Sequence, residues 1–78
     1  MKISDFTFDI ELLYFKFMCG DIEITLEPCL NGFDVAVYKN LRLLEPKVCT
    51  DMKPGSKARE KALGIAGQFK AKYCKKSI

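Results

Sequence analysis

Histidine is absent from this chain, and with it the side chain that most often moves protons near neutral pH. Catalysis by a His-based dyad or triad is excluded, and a nucleophilic thiol would lack its usual base. Four cysteines are present, Cys19, Cys29, Cys49 and Cys74, but no two stand in a C-x-x-C spacing. A four-thiolate zinc site usually draws on two close pairs, so free thiols, no metal and no cofactor are expected. Glycine-rich phosphate loops, internal repeats and low-complexity tracts are missing. No apolar run approaches the roughly 18 residues of a membrane span. The opening Met1-Lys2-Ile3-Ser4-Asp5 lacks the apolar core of a signal peptide. Cysteines without such a leader read as reduced thiols, so a cytoplasmic location and no membrane partner are expected.

What is present is apolar content. In 78 residues, 49% are hydrophobic, with six Phe and three Tyr. That is rich for a chain whose length allows one core, so a single domain over residues 1–78 is expected, with apolar surface to spare. Charge is split along the chain. Residues 1–45 hold four basic and eight acidic side chains, whereas residues 46–78 hold nine basic ones and only Asp51 and Glu60. Such a division points to an interaction surface for an oppositely charged partner.

Hydrophobic periodicity predicts an α+β fold: a four-stranded antiparallel meander with one C-terminal helix packed on one face. Phe6, Phe8, Ile10 and Leu12 alternate with polar residues, and the phase then slips to Leu13, Phe15, Phe17 and Cys19. The slip implies either a β-bulge near Leu12-Leu13 or a strand apolar on both faces. Gly20-Asp21 is a turn. Ile22, Ile24 and Leu26 make the second strand, which Pro28 is expected to end, and Asn31-Gly32 is a hairpin turn. Phe33, Val35 and Val37 make the third strand, and Lys39-Asn40 a further turn. Leu41 and Leu43 start a short fourth strand running toward Val48. Ile10, Leu41 and Leu43 are expected in the core with the other alternating apolar residues. Asp9 with Glu11, and Glu23 with Glu27, read as a solvated strand face and not as catalytic carboxylate pairs.

From Gly55 onward the chain reads as one helix, with Ser56 as N-cap. Ala58, Ala62, Ile65, Ala66, Phe69 and Tyr73 share one side, and Lys57, Lys61, Lys72 and Lys75 share another. Gly64 and Gly67 lie inside the helix and imply that something packs close to its backbone there. The lysine stripe is a candidate binding face for phosphates or an acidic groove. A second candidate lies on the sheet: Tyr14 and Met18 share one strand phase, and Tyr38 takes the outer phase of the third strand.

The run Gly55-Ser56-Lys57-Ala58-Arg59-Glu60-Lys61-Ala62 resembles the start of the last helix of double-stranded-RNA-binding domains. That likeness implies phosphate gripping by the helix start. By type, as a small tagless cysteine-containing chain with a small sheet, one helix and no catalytic constellation, the protein also looks like phage-encoded counter-defence inhibitors of the anti-CRISPR kind. That likeness implies a non-catalytic protein that occupies a surface of a host protein or nucleoprotein. The alternative is direct nucleic-acid binding through the basic helix. Homodimerisation through the sheet is a third expectation.

Overall fold

A computed structural model describes residues 1–74. One helical turn of 3-10 type at Ile3–Asp5 is followed by β1 (Thr7–Asp9), β2 (Tyr14–Cys19), β3 (Ile22–Cys29) and β4 (Gly32–Lys39). Two short strands, β5 (Arg42–Leu43) and β6 (Val48–Cys49), precede α1 (Ser56–Tyr73). The strands form one antiparallel sheet in the order β1-β2-β3-β4-β5, and β6 pairs with β4 beside β5. The α+β class and the sequential meander agree with the periodicity; the strand count does not. The expected first strand is two, because the chain reverses at Ile10–Leu13. The Asp9 carboxylate accepts hydrogen bonds from the amides of Glu11 and Leu12, and Leu13 takes a left-handed backbone with φ of 58°. The phase slip is therefore a hairpin turn stapled by an Asp side chain, neither a bulge nor a two-faced strand. The expected fourth strand is also two, broken by the Glu45-Pro46-Lys47 segment.

Register explains the core. Phe15 stands opposite Leu26, Phe17 opposite Ile24, Ile24 opposite Val37 and Leu26 opposite Val35. These residues share the sheet face that α1 covers. The helix meets them with Ala58, Ala62, Ala66 and Phe69, all buried. Three alanines bring the helix backbone close to the sheet, and Ile24, Leu26, Val35 and Val37 are fully enclosed beneath it. Each such aliphatic side chain contributes about 1.5–3 kcal/mol relative to exposure. Phe6 closes one end, its ring centroid 5.9 Å from that of Phe17.

Four expected core residues are not there. Phe8 is 44% exposed on the edge strand β1, Ile10 is 79% exposed in the reversing turn, Leu43 is exposed on the short β5, and Leu41 is 92% exposed. Gly20-Asp21 form the β2–β3 turn as expected, but the next two hairpin turns sit one residue away from the expected positions. Leu30-Asn31 form the β3–β4 turn and Gly32 begins β4, opposite Cys29. Pro28 does not end β3 but pairs with Phe33 within it. Asn40-Leu41 form the next turn, with φ of 50° and 67°. The helix N-cap is Gly55 and not Ser56, which is the first helical residue. Of the two helix glycines, Gly67 packs against Met1, while a Cβ on Gly64 would meet nothing within 4 Å.

Candidate interaction face and cysteine cluster

The sheet face opposite α1 carries no covering element among the described residues. It is built by the alternate positions of four strands: Thr7 and Asp9; Tyr14, Lys16 and Met18; Glu23, Thr25, Glu27 and Cys29; Asp34, Ala36 and Tyr38. In register, Met18 faces Glu23, which faces Tyr38, so Glu23 stands between two of the expected sheet residues. Tyr14 opens β2, two residues before Lys16 on the same face. Thr25 is only 8% exposed and Ala36 only 2%. Small residues at the centre, flanked by large half-buried tyrosines, leave a concave surface.

Tyr14, Glu23, Thr25, Glu27, Tyr38 and Leu41 line a notch of about 210 Å³ on this face. Leu41 reaches it from the Asn40-Leu41 turn. A leucine in the left-handed region costs about 1–2 kcal/mol, and here the strain leaves an apolar side chain in solvent at the notch. Partial burial and the neighbouring Glu23, Asp9, Tyr38 and Glu27 push the Tyr14 hydroxyl above its ordinary value. Among the described strand positions, this face holds four carboxylates, Asp9, Glu23, Glu27 and Asp34, against the single Lys16. It combines aromatic surface, a strained exposed leucine and negative potential.

The lysine stripe of α1 is not an open row. Lys61 Nζ donates to the Thr50 carbonyl at 3.0 Å. Lys72 Nζ pairs with the Glu45 carboxylate, which also accepts from the Tyr73 hydroxyl. On a neighbouring flank, Lys70 Nζ sits 5.3 Å from the centre of the Phe17 ring. The chain between β5 and α1 supplies the Thr50 and Glu45 acceptors. Hydrogen bonds from Lys72 first, then Tyr73, hold the Glu45 carboxyl below its ordinary range. The same bonds raise Lys72 and Tyr73. Lys57 is exposed at the helix start, and Lys75 lies outside the described residues.

Spacing gave no reason to group the cysteines, but the sheet does. Asp34 on β4 stands directly opposite Cys49 on β6 and, on its other side, opposite Glu27 of β3. Cys29 follows Glu27 on the same face. The Sγ atoms of Cys29 and Cys49 and a carboxylate oxygen of Asp34 all lie within 4.8 Å of one another. Burial and the nearby Asp34 push the Cys29 thiol up, opposed in part by a hydrogen bond with the Asn31 backbone. Cys74 is pushed up to about 11, by burial and by the neighbouring Cys19.

Thr50 anchors this corner. Its fully buried hydroxyl donates to the Asn31 carbonyl at 2.9 Å and accepts from the Phe33 amide at 3.1 Å. No buried side-chain nitrogen or oxygen lacks a partner among the described residues, and no helix among them is long and apolar enough to cross a membrane. Comparison with family models, curated proteins and solved structures finds nothing that matches this chain.

Proposed function

We propose that the protein is a non-catalytic inhibitor or adaptor of the phage or mobile-element kind. In this reading it acts in the host cytoplasm by covering a basic surface of a host protein or nucleoprotein. The observation that carries the proposal is the open sheet face, where Tyr14, Tyr38 and the strained, exposed Leu41 surround a notch rimmed by Glu23 and Glu27. Exposed apolar patches with a polar rim mark interaction sites, and tyrosines supply contact area at low entropic cost. The carboxylates select a partner rich in Lys or Arg, and the tyrosine rings offer faces for those cations. A symmetric homodimer through this face would set the carboxylates against their own copies, which weighs against self-association here. Direct nucleic-acid binding through α1 is the weaker reading, because Lys61 and Lys72 are already bonded within the chain.

The test is affinity capture from bacterial lysate with and without nuclease, using the parent chain, a Tyr14→Ser/Tyr38→Ser variant and a Lys57→Glu variant. One captured protein that persists after nuclease, is lost with the tyrosines and is kept with Lys57→Glu supports the proposal. Capture that needs nucleic acid, or that survives loss of both tyrosines, overturns it.

A further inference from the structure

We propose that Cys29, Asp34 and Cys49 form a three-ligand site for one Zn²⁺ ion, at the corner of the sheet where β3, β4 and β6 meet. Three ligating atoms from three strands converge within 4.8 Å. A tetrahedral zinc with bonds near 2.3 Å to sulfur and 2.0 Å to oxygen sets its ligand atoms about 3.5–3.8 Å apart, so side-chain adjustments of about 1 Å close the site. Two thiolates and one carboxylate suit zinc better than a hard cation. Cys49 is exposed, and the fourth position is left to water.

Two further observations point the same way. The first is the sulfur's surroundings. The Asp51 amide donates to Cys49 Sγ at 3.3 Å, from a residue held at φ of 52°. A backbone donor aimed at sulfur is the kind of outer contact that orients a metal-bound thiolate. The thiol proton of Cys49 points to the Asn31 carbonyl at 3.7 Å. That carbonyl already accepts from the Thr50 hydroxyl and the Met52 amide, so losing the proton to solvent on metal binding leaves no acceptor unpaired. The second is charge. Glu27 and Asp34 are directly opposite in the β3–β4 register, an arrangement that is unfavourable between like charges. A divalent cation on Asp34 relieves it.

Cobalt is the probe, since it takes the same tetrahedral geometry and is coloured. The full-length reduced chain is titrated with Co²⁺, then with Zn²⁺. The expected result is one equivalent of cobalt with sulfur-to-metal charge-transfer bands and tetrahedral d–d bands, displaced by one equivalent of zinc. Cys29→Ser, Cys49→Ser and Asp34→Asn should each weaken binding by more than about tenfold. Cys19→Ser and Cys74→Ser should bind as the parent does, and circular dichroism checks that every variant folds. Zinc should also raise the melting temperature of the parent and not that of Cys49→Ser, through its binding to the folded state alone. No stoichiometric binding by the reduced parent would overturn the proposal. So would binding retained in folded Cys29→Ser and Cys49→Ser, or a Cys29–Cys49 disulfide that persists in reducing buffer.

Discussion

Gly32 lies directly against Thr50: a Cβ placed on the glycine would stand 2.1 Å from the threonine Oγ1. The same glycine has φ of 100°. Position 32 therefore excludes a side chain both by conformation and by contact. Gly32→Ala should lower stability by at least about 2 kcal/mol, because the displaced hydroxyl leaves the Phe33 amide and Asn31 carbonyl without their partner. Thermal unfolding should show a drop of about 8–16 °C for a domain of this size. A drop under about 3 °C would mean that the Thr50 corner yields without cost.

Gly64 presents the reverse case. It sits in a helix interior with open space where a Cβ would go. Gly64→Ala should stabilise the protein by about 0.8–1 kcal/mol, since nothing obstructs the methyl group and the backbone loses less freedom on folding. A raised urea midpoint with unchanged slope is the expected reading.

Leu41 joins strain to exposure. Leu41→Gly should raise stability by about 1 kcal/mol by removing the left-handed penalty, and should weaken binding of the captured partner. Equilibrium unfolding and a binding titration on one preparation separate the two effects. If stability rises and affinity holds, the leucine is not part of the interface.

The Glu45, Lys72 and Tyr73 cluster predicts a pH profile. The ordinary carboxyl value is 4.5, and in the folded chain Glu45 lies below it. Its contribution is present above the unfolded value and is lost as pH falls through the folded one. Lys72 and Tyr73 are raised above 10.5 and 10.0. Theirs is present below those values and is lost as pH rises through the folded ones. Unfolding midpoints measured from pH 2 to 7 should show a shallower acid decline for Glu45→Gln than for the parent. Superimposable acid limbs would show that the pair is screened by solvent.

The helix lysines should separate by mutation. Lys61→Met removes a hydrogen bond to the Thr50 carbonyl and should cost about 1 kcal/mol, whereas Lys57→Met should stay within about 0.5 kcal/mol. Chemical denaturation of the two variants side by side decides this; equal costs would mean that the Lys61 bond contributes nothing net.

These particulars show where local pattern was enough. Ile22, Ile24 and Leu26, then Phe33, Val35 and Val37, alternate without interruption, so their facing followed from period two alone, whereas the register depended on the turn between them. The helix was legible from its alanine and phenylalanine spacing, and Tyr14, Met18 and Tyr38 did fall on the uncovered face. The turns after β3 and β4 misled by one residue, whereas Gly20-Asp21 did not. Asn-Gly looks like a turn pair, but here the glycine is needed for the close approach of Thr50. Leu41 gives no turn signal at all. The Ile10–Leu13 reversal did leave a mark, an Asp three residues before the phase change, which an Asx-turn reading would have caught. The fate of Lys61 and Lys72, and the meeting of Cys29 with Cys49, depend on where the loop after β5 lies. Helical and strand periods carry no information about that path.

The sheet's borders restrict how anything can approach it. One border is β1, only three residues long, and the other is shared by β5 and β6, two residues each. The Leu44 amide donates to the Val37 carbonyl at 3.0 Å and so occupies part of the gap between those two. A partner strand needs a longer run of unpaired backbone to add itself by hydrogen bonding. These borders therefore give strand addition little continuous backbone to use. A protein that engages the sheet on its face meets side chains and not main chain, so its selectivity would rest on the tyrosines and carboxylates displayed there.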